Sequence, residues 1–239
     1  MFRALQLAIV GTLVVGAFTP GSAESAEPVG MAAPQRAVDE ATADSSFSAR
    51  VERLSEGSEA PEELIEGMLQ VLREFAVDAR GYVEDDPDRY YREIQAVMDP
   101  VLNFRRFARN VMAAPYKTAT PEQRERFTST FRKGLIETYS TALTQFDDGE
   151  VSVVPSPKAD PAAKRRRVKT EIRTPAGDVF PVVYALAKEK DERWRIYNIV
   201  ANGVNLGLTF RNQFKSAWDS NDRDLDKTID AWAAIVKES

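Results

Sequence analysis

Residues 179–201, VFPVVYALAKEKDERWRIYNIVA, decide how the chain folds. From Val179 to Ala187 nearly every residue is apolar, as expected of a central strand covered on both faces. Lys190-Asp191-Glu192 interrupts the run with a polar turn. Beyond it Trp194, Ile196, Asn198 and Val200 alternate with Arg193, Arg195, Tyr197 and Ile199, the period of two that marks a strand. Two strands joined by so short a turn form an antiparallel hairpin.

The sheet extends upstream of this hairpin. Arg166, Val168, Thr170, Ile172 and Thr174 alternate with Arg165, Arg167, Lys169, Glu171 and Arg173, giving one inward face and one wet face. The basic cluster Lys164–Arg167 reads first as part of that solvated face, ahead of a patch for nucleic acid or anionic lipid. Val151, Val153 and Val154 predict one more strand, after a turn at Asp147-Asp148-Gly149.

Before the sheet the period is helical. Pro61 opens a helix with Leu64, Ile65, Met68, Leu72, Phe75 and Ala79 on one face. Pro87 opens a second, holding Tyr90, Tyr91, Ile94 and Val97, and a third runs from about Asn103 to Ala113. Thr120, Pro121 and Gln123 form a capping box with proline at the first helical position. Behind it Phe127, Phe131, Leu135, Tyr139, Ala142 and Phe146 recur at steps of three or four. Core packing accounts for such a stripe, and so does the wall of a ligand cavity. After the sheet, Leu206, Phe210 and Phe214 mark one helix, and Leu225, Ile229, Trp232 and Val236 a last one from about Asp222. The predicted fold class is α+β: helices packed on a small curved antiparallel sheet of three to four strands, a nuclear-transport-factor-like cone with an added helical part.

The N-terminus sets the compartment. Arg3 precedes a mostly apolar run from Leu5 to Phe18. Pro20 and Gly21 break the run, and Ala23 ends a small-residue cleavage site. Residues 1–23 therefore read as a secretory signal peptide, and the run is shorter than the roughly 20 residues a membrane span needs. Its loss removes one arginine and takes the formal charge from −5 to −6. A mildly acidic protein is no obvious binder of nucleic acid or of anionic membrane surfaces. Residues 24–58 are rich in Ala, Ser, Glu, Pro and Gly and read as a disordered leader. Residues 59–239 then form a single domain. With no cysteine and no histidine, disulfides, thiolate metal sites and the commonest general base are absent. No nucleophile elbow, phosphate-binding loop or dinucleotide fingerprint occurs. Asp222, Asp224, Asp226 and Asp230 crowd a helix start, where the dipole favours them. They lack the spacing of a calcium loop.

The segment from Trp194 to Leu206, which includes Gly203 and Val204, with Phe210, Arg211, Gln213 and Phe214 after it, resembles a family pattern. In that pattern a strand bearing Trp, an aliphatic, Tyr and Asp runs into Glu-Gly-Val-Ser and a helix with Arg and Phe. The family is the periplasmic phospholipid-binding proteins of the Mla / toluene-tolerance (Ttg2) ABC lipid-transport system. Phe104-Arg105-Arg106-Phe107-Ala108 and the Phe127, Phe131, Leu135, Tyr139 stripe fall where the family's helical motifs do. The resemblance spans roughly residues 60–235. Asn198 stands for the usual Asp, Asn202 for Glu, Asn205 for Ser, and Tyr116 where Trp is frequent. These departures remove charge at the strand-to-helix corner.

The resemblance implies a periplasmic carrier, the substrate-binding component of an ABC transporter that maintains outer-membrane lipid asymmetry. Its ligand would be a glycerophospholipid. Its partners would be an inner-membrane ABC permease with a lipid-binding ring protein, and an outer-membrane lipoprotein complex. It would act as a monomer, without cofactor or metal and without catalysis. A cavity for two chains would lie near the top of the 300–1,000 Å³ usual for ligand sites. The tails are expected between Phe131, Leu135, Tyr139 and Leu143 on the long helix and Val182, Tyr184 and Tyr197 on the sheet. Val204, Leu206, Phe210 and Phe214 complete the expected lining, with the headgroup near solvent. Two other readings compete. A small-pocket isomerase- or dehydratase-like enzyme would need an acid/base pair in the pocket, drawn from Tyr139, Tyr184, Tyr197 and Asp178. An adaptor or chaperone without a small ligand would show a filled core and an exposed apolar groove.

Overall fold

The computed structural model describes residues 40–143, 150–156, 160, 162–174 and 177–237, and only the backbone of residues 40–46, 139, 141–143 and 234–237. Six helices precede the sheet: α1 (Glu40–Gly57), α2 (Pro61–Ala79), α3 (Pro87–Met98), α4 (Phe104–Met112), the single turn α5 (Pro115–Thr118) and α6 (Pro121–Leu143). Strands β1 (Glu150–Val154), β2 (Arg165–Arg173), β3 (Val179–Lys188), β4 (Trp194–Ala201) and β5 (Val204–Asn205) follow, then α7 (Leu206–Ser220) and α8 (Leu225–Lys237).

Local chemistry sets the helix starts. Proline opens α2, α3 and α6, where its missing N–H costs nothing. Asp86, Asn103 and Asp224 each accept the backbone N–H three residues on, at 3.0, 2.8 and 3.1 Å. At α6 the predicted capping box is complete. Gln123 N–H donates to the Thr120 hydroxyl at 3.2 Å, and Thr120 N–H to the Gln123 side chain at 3.0 Å.

The sheet is an antiparallel meander in the order β1-β2-β3-β4-β5. Four of its strands are the predicted ones, and the fifth has two residues, too few to show a period. One face of β2 and β3, from Val168, Thr170 and Ile172 to Val182, Tyr184 and Leu186, is buried. On the other face Pro181, Val183 and Ala185 are half-buried, so β3 is covered fully on one side and partly on the other. The register of β4 shifts between Ala185 and Leu186. Ile196 lies opposite Leu186 and Ile199 opposite Tyr184, and Tyr197 is the extra residue of a bulge. The uniform alternation expected from Trp194 to Val200 therefore breaks midway. Trp194 and Ile196 share the inward face with Ile199 and Ala201 instead of with Asn198 and Val200.

Helices and sheet enclose two apolar clusters. The larger joins α2 (Leu64, Met68, Phe75) and α3 (Tyr90, Ile94) to Val168, Leu186, Trp194 and Ile196 of the sheet. The smaller is helical and aromatic: Phe107 of α4, Phe127 and Phe131 of α6, Phe214 of α7 and Trp232 of α8. Leu135 and Ile199 pack against both clusters.

Helix α1 lies in the stretch read as a disordered leader. Val51 is fully buried in the larger cluster, with Phe47 and Leu54 packed against it. Arg50 pairs with Glu74, and Arg193 pairs with Glu52 and Glu56 at 2.6 and 2.5 Å. Three apolar anchors among many polar residues carry too weak a pattern to be read alone. Their burial comes from the partner surface on α2 and α3. Residues 1–23, the expected signal peptide, lie outside the described residues.

Candidate functional site

Between α2, α3, the C-terminal half of α6 and the inward face of the sheet lies a cavity of about 680 Å³. Met68, Leu69, Leu72 and Ala76 line it from α2, Ile94 and Met98 from α3, and Leu135 and Ile136 from α6. The sheet contributes Val151, Val153, Ile172, Phe180, Val182, Tyr184, Ile196, Ile199 and Ala201, and Leu206 closes one side. The volume is mid-range for ligand sites, below the near-maximal size set by the sequence reading. Apart from Ser140 and Tyr184, the polar lining side chains gather where the wall meets solvent. Glu66, Gln70 and Arg73 on α2, Ser152 on β1 and Asn202 beside β5 are all exposed.

The helical periodicity of α2 produces this division. Met68, Leu72 and Ala76 recur every four residues on the cavity side, and Glu66, Gln70 and Arg73 flank them along the rim. On the sheet, the pleat sends Val182 and Tyr184 inward and Val183 outward. The phenol of Tyr184 lies in the wall, and burial pushes its pKa up to about 12, with the Thr170 hydroxyl acting against the rise. It is a neutral group at pH 7.

Of the residues proposed from sequence, Leu135, Val182, Tyr184 and Leu206 line the cavity. Phe131 and Phe214 are buried in the helical cluster, against which Phe210 and Val204 pack. Phe210 meets Phe131 edge-on with ring centroids 5.4 Å apart. Tyr197, displaced by the bulge, lies under the Arg106 guanidinium, 4.4 Å from the ring centroid. The side chains of Tyr139 and Leu143 lie outside the described residues, as does Phe146. Asp178 is exposed at the β2–β3 turn and does not reach the cavity. In the last-helix acidic group, Asp224 caps α8, and Arg126 pairs with Asp226 at 2.9 Å and Asp230 at 3.6 Å. The stripes on α2 and α3 are legible in the sequence but their place in the lining is not, because nothing in a single stripe says which neighbour it meets.

The strand-to-helix corner resolves the three asparagines. Asn205 caps α7, its side-chain oxygen accepting from Leu208 N–H at 3.1 Å and from the Asn198 amide at 3.0 Å. The Asn198 oxygen in turn accepts from Gly207 N–H at 3.0 Å. An added β-carbon at Gly207 would lie 2.5 Å from that oxygen, so glycine gives Asn198 its access. Together the two amides satisfy two of the four free N–H groups at the start of α7.

Residues 65–234 match the family model described as MlaC protein. The chain belongs to the MlaC family. It is 32% identical to toluene tolerance protein ttg2D of Pseudomonas putida over 188 residues, which cover 78% of this chain and 86% of that one. It is 24% identical to the intermembrane phospholipid transport system binding protein MlaC of Haemophilus influenzae over 159 residues, 65% of each chain. The fold is that of a phospholipid-binding protein from Ralstonia solanacearum solved in complex with a phospholipid. The TM-score is 0.55 at 20% identity, over 83% of this chain and 98% of that one. The MlaC match begins at Ile65 and so leaves out α1 and the first turn of α2.

Proposed function

We propose that this MlaC-family chain is a periplasmic carrier that holds a glycerophospholipid by its tails and passes it between outer-membrane and inner-membrane machinery. The observation that carries the reading is the cavity itself: about 680 Å³ of space with walls of aliphatic side chains and polar groups at its rim. Such a division suits a molecule that is hydrocarbon at one end and charged at the other. The relatives' names and the phospholipid bound by the structural neighbour support the same ligand class. Among the described residues, no helix is long and apolar enough to cross a membrane. The apolar N-terminal run and small-residue site at Ala23 support export with cleavage. The inner-membrane partner would be an ABC permease with its lipid-binding ring, the outer-membrane partner a lipoprotein complex, and the carrier itself a monomer.

Organic extraction of the purified protein followed by mass spectrometry tests the reading. A two-chain lipid is expected at close to one per protein. The variant Val182→Trp places an indole in the cavity space, where its volume is accommodated better than in a filled core. It is expected to fold and to lose the lipid. Lipid loading unchanged in a folded Val182→Trp would remove the tails from this cavity.

A further inference from the structure

One polar group in the cavity wall has no partner. Ser140, only 2% exposed, lines the cavity from α6 beside the Tyr90 phenol, and among the described residues its hydroxyl oxygen has no partner in hydrogen-bond geometry. Buried hydroxyls in native proteins are satisfied as a rule, because stripping one of water without replacement is unfavourable. The polar groups around it are already engaged. The backbone carbonyl of Ser140 accepts the Tyr90 hydroxyl at 2.5 Å, and the Thr170 hydroxyl donates to the Val182 carbonyl at 3.4 Å. The Tyr90 ring stacks on Phe75, 5.5 Å between centroids, which sets Ser140 beside the C-terminal half of α2. Arg73, two residues before Phe75, sits on the cavity rim with no ion pair among the described residues.

We propose that Ser140 donates a hydrogen bond to an acyl-ester carbonyl of the bound lipid and so fixes how deep the lipid sits. The inference rests on the phospholipid-carrier reading and adds to it the part of the ligand that the wall recognises. A glycerophospholipid carries its polar atoms in a fixed order: phosphate outermost, ester carbonyls next, hydrocarbon beyond. The rim offers Arg73 and Gln70, and the wall inside it offers the Ser140 hydroxyl in a lining shared with Leu72, Ile94 and Ile136. An ester carbonyl is an acceptor without a donor of its own, so in a dry cavity it lacks what Ser140 supplies. The match is mutual, and it makes the cavity selective for acyl esters over alkyl ethers, which have no carbonyl.

The test uses delipidated full-length protein, wild type and Ser140→Ala, incubated with an equimolar mixture of diacyl and dialkyl phospholipids of the same headgroup and chain length. Extracted lipid is quantified by mass spectrometry. Wild type is expected to take up the diacyl form about fivefold more, the usual worth of one neutral hydrogen bond. Ser140→Ala is expected to take up the two forms equally. The lipid-free variant is expected to melt at or above the wild-type temperature, because it loses only an unsatisfied hydroxyl and gains helix propensity. Equal uptake by wild type, a preference retained by Ser140→Ala, or a lower melting temperature for the lipid-free variant would each overturn the ester contact and leave the carrier reading standing. Absence of any lipid on both proteins would overturn the carrier reading, and the contact with it.

Discussion

Asn202 and Gly203 turn the chain from β4 into β5 with φ of 47° and 83°, both in the left-handed region. Positive φ at both central residues is the pattern of the tight hairpin turn that Asn-Gly favours. A β-carbon at Gly203 would meet nothing within 4 Å, so any cost of substitution comes from backbone strain alone. Gly203→Val is expected to destabilise by about 1–2 kcal/mol in chemical denaturation. An unchanged midpoint would show the turn relaxing freely. A positive φ at Gly203 was legible in the sequence as a glycine at an abrupt change from strand to helix. The roles of Asn198 and Asn205 were not, because seven residues separate two amides that meet only once the turn is made. Asn198→Ala removes the acceptor for Gly207 N–H and the donor to Asn205. Its expected cost is about 1–2 kcal/mol, read by thermal unfolding. Asn198→Asp keeps the acceptor and should cost less, which separates capping from general packing.

Helix α6 shows how far a stripe can be read. Phe127, Phe131, Leu135 and Tyr139 follow one another at steps of four, but an α-helix turns about 100° per residue, so the line drifts by about 120° over those twelve residues. Phe127 and Phe131 therefore belong to the helical cluster, Leu135 touches both, and the cavity receives Leu135, Ile136 and Ser140. The sequence reading found the helix, its cap and its apolar line. It puts Phe131 on the cavity surface with Leu135, Tyr139 and Leu143, because the drift matters only once two separate neighbours are known. Helix α1 is the opposite case. Its order depends on a gap in α2, where a β-carbon at Gly67 would lie 2.6 and 2.8 Å from the two Leu54 methyl carbons. Gly67→Ala gains helix propensity but pushes Leu54 out. It is expected to cost about 1–3 kcal/mol net, as overpacking of a filled contact does. Hydrogen exchange over residues 47–57 checks the cause: protection should fall there first. Uniform loss across α2 and α3 would place the strain elsewhere.

For the whole molecule, the energetics of the ligand set the demand on motion. Two acyl chains present roughly 28 methylenes at about 0.8 kcal/mol each, some 20 kcal/mol in all. If the chain carries lipid as proposed, a lipid so held does not leave into water, and handover needs the wall to part against an acceptor. The fold divides into an aromatic helical half, tied together by contacts such as Phe127–Phe214 at 4.9 Å, and a half that contains the cavity. Four of the five exposed polar rim residues, Glu66, Gln70, Arg73 and Ser152, lie on α2 and the edge strand β1, so the opening is expected there and not at α7. The chain has no cysteine, which makes the idea directly testable. In Gln70→Cys/Ser152→Cys the two new thiols stand on opposite sides of that rim and can be joined by a short, reducible bifunctional maleimide. Lipid loaded before cross-linking is expected to stay with the protein, with transfer to acceptor vesicles slowed at least tenfold and restored by reductant. A control linking Phe210→Cys to Phe131→Cys, across the aromatic half, should leave the transfer rate of a folded protein unchanged. Undiminished transfer through the joined rim, or loss of transfer only in the control, would move the opening to α7.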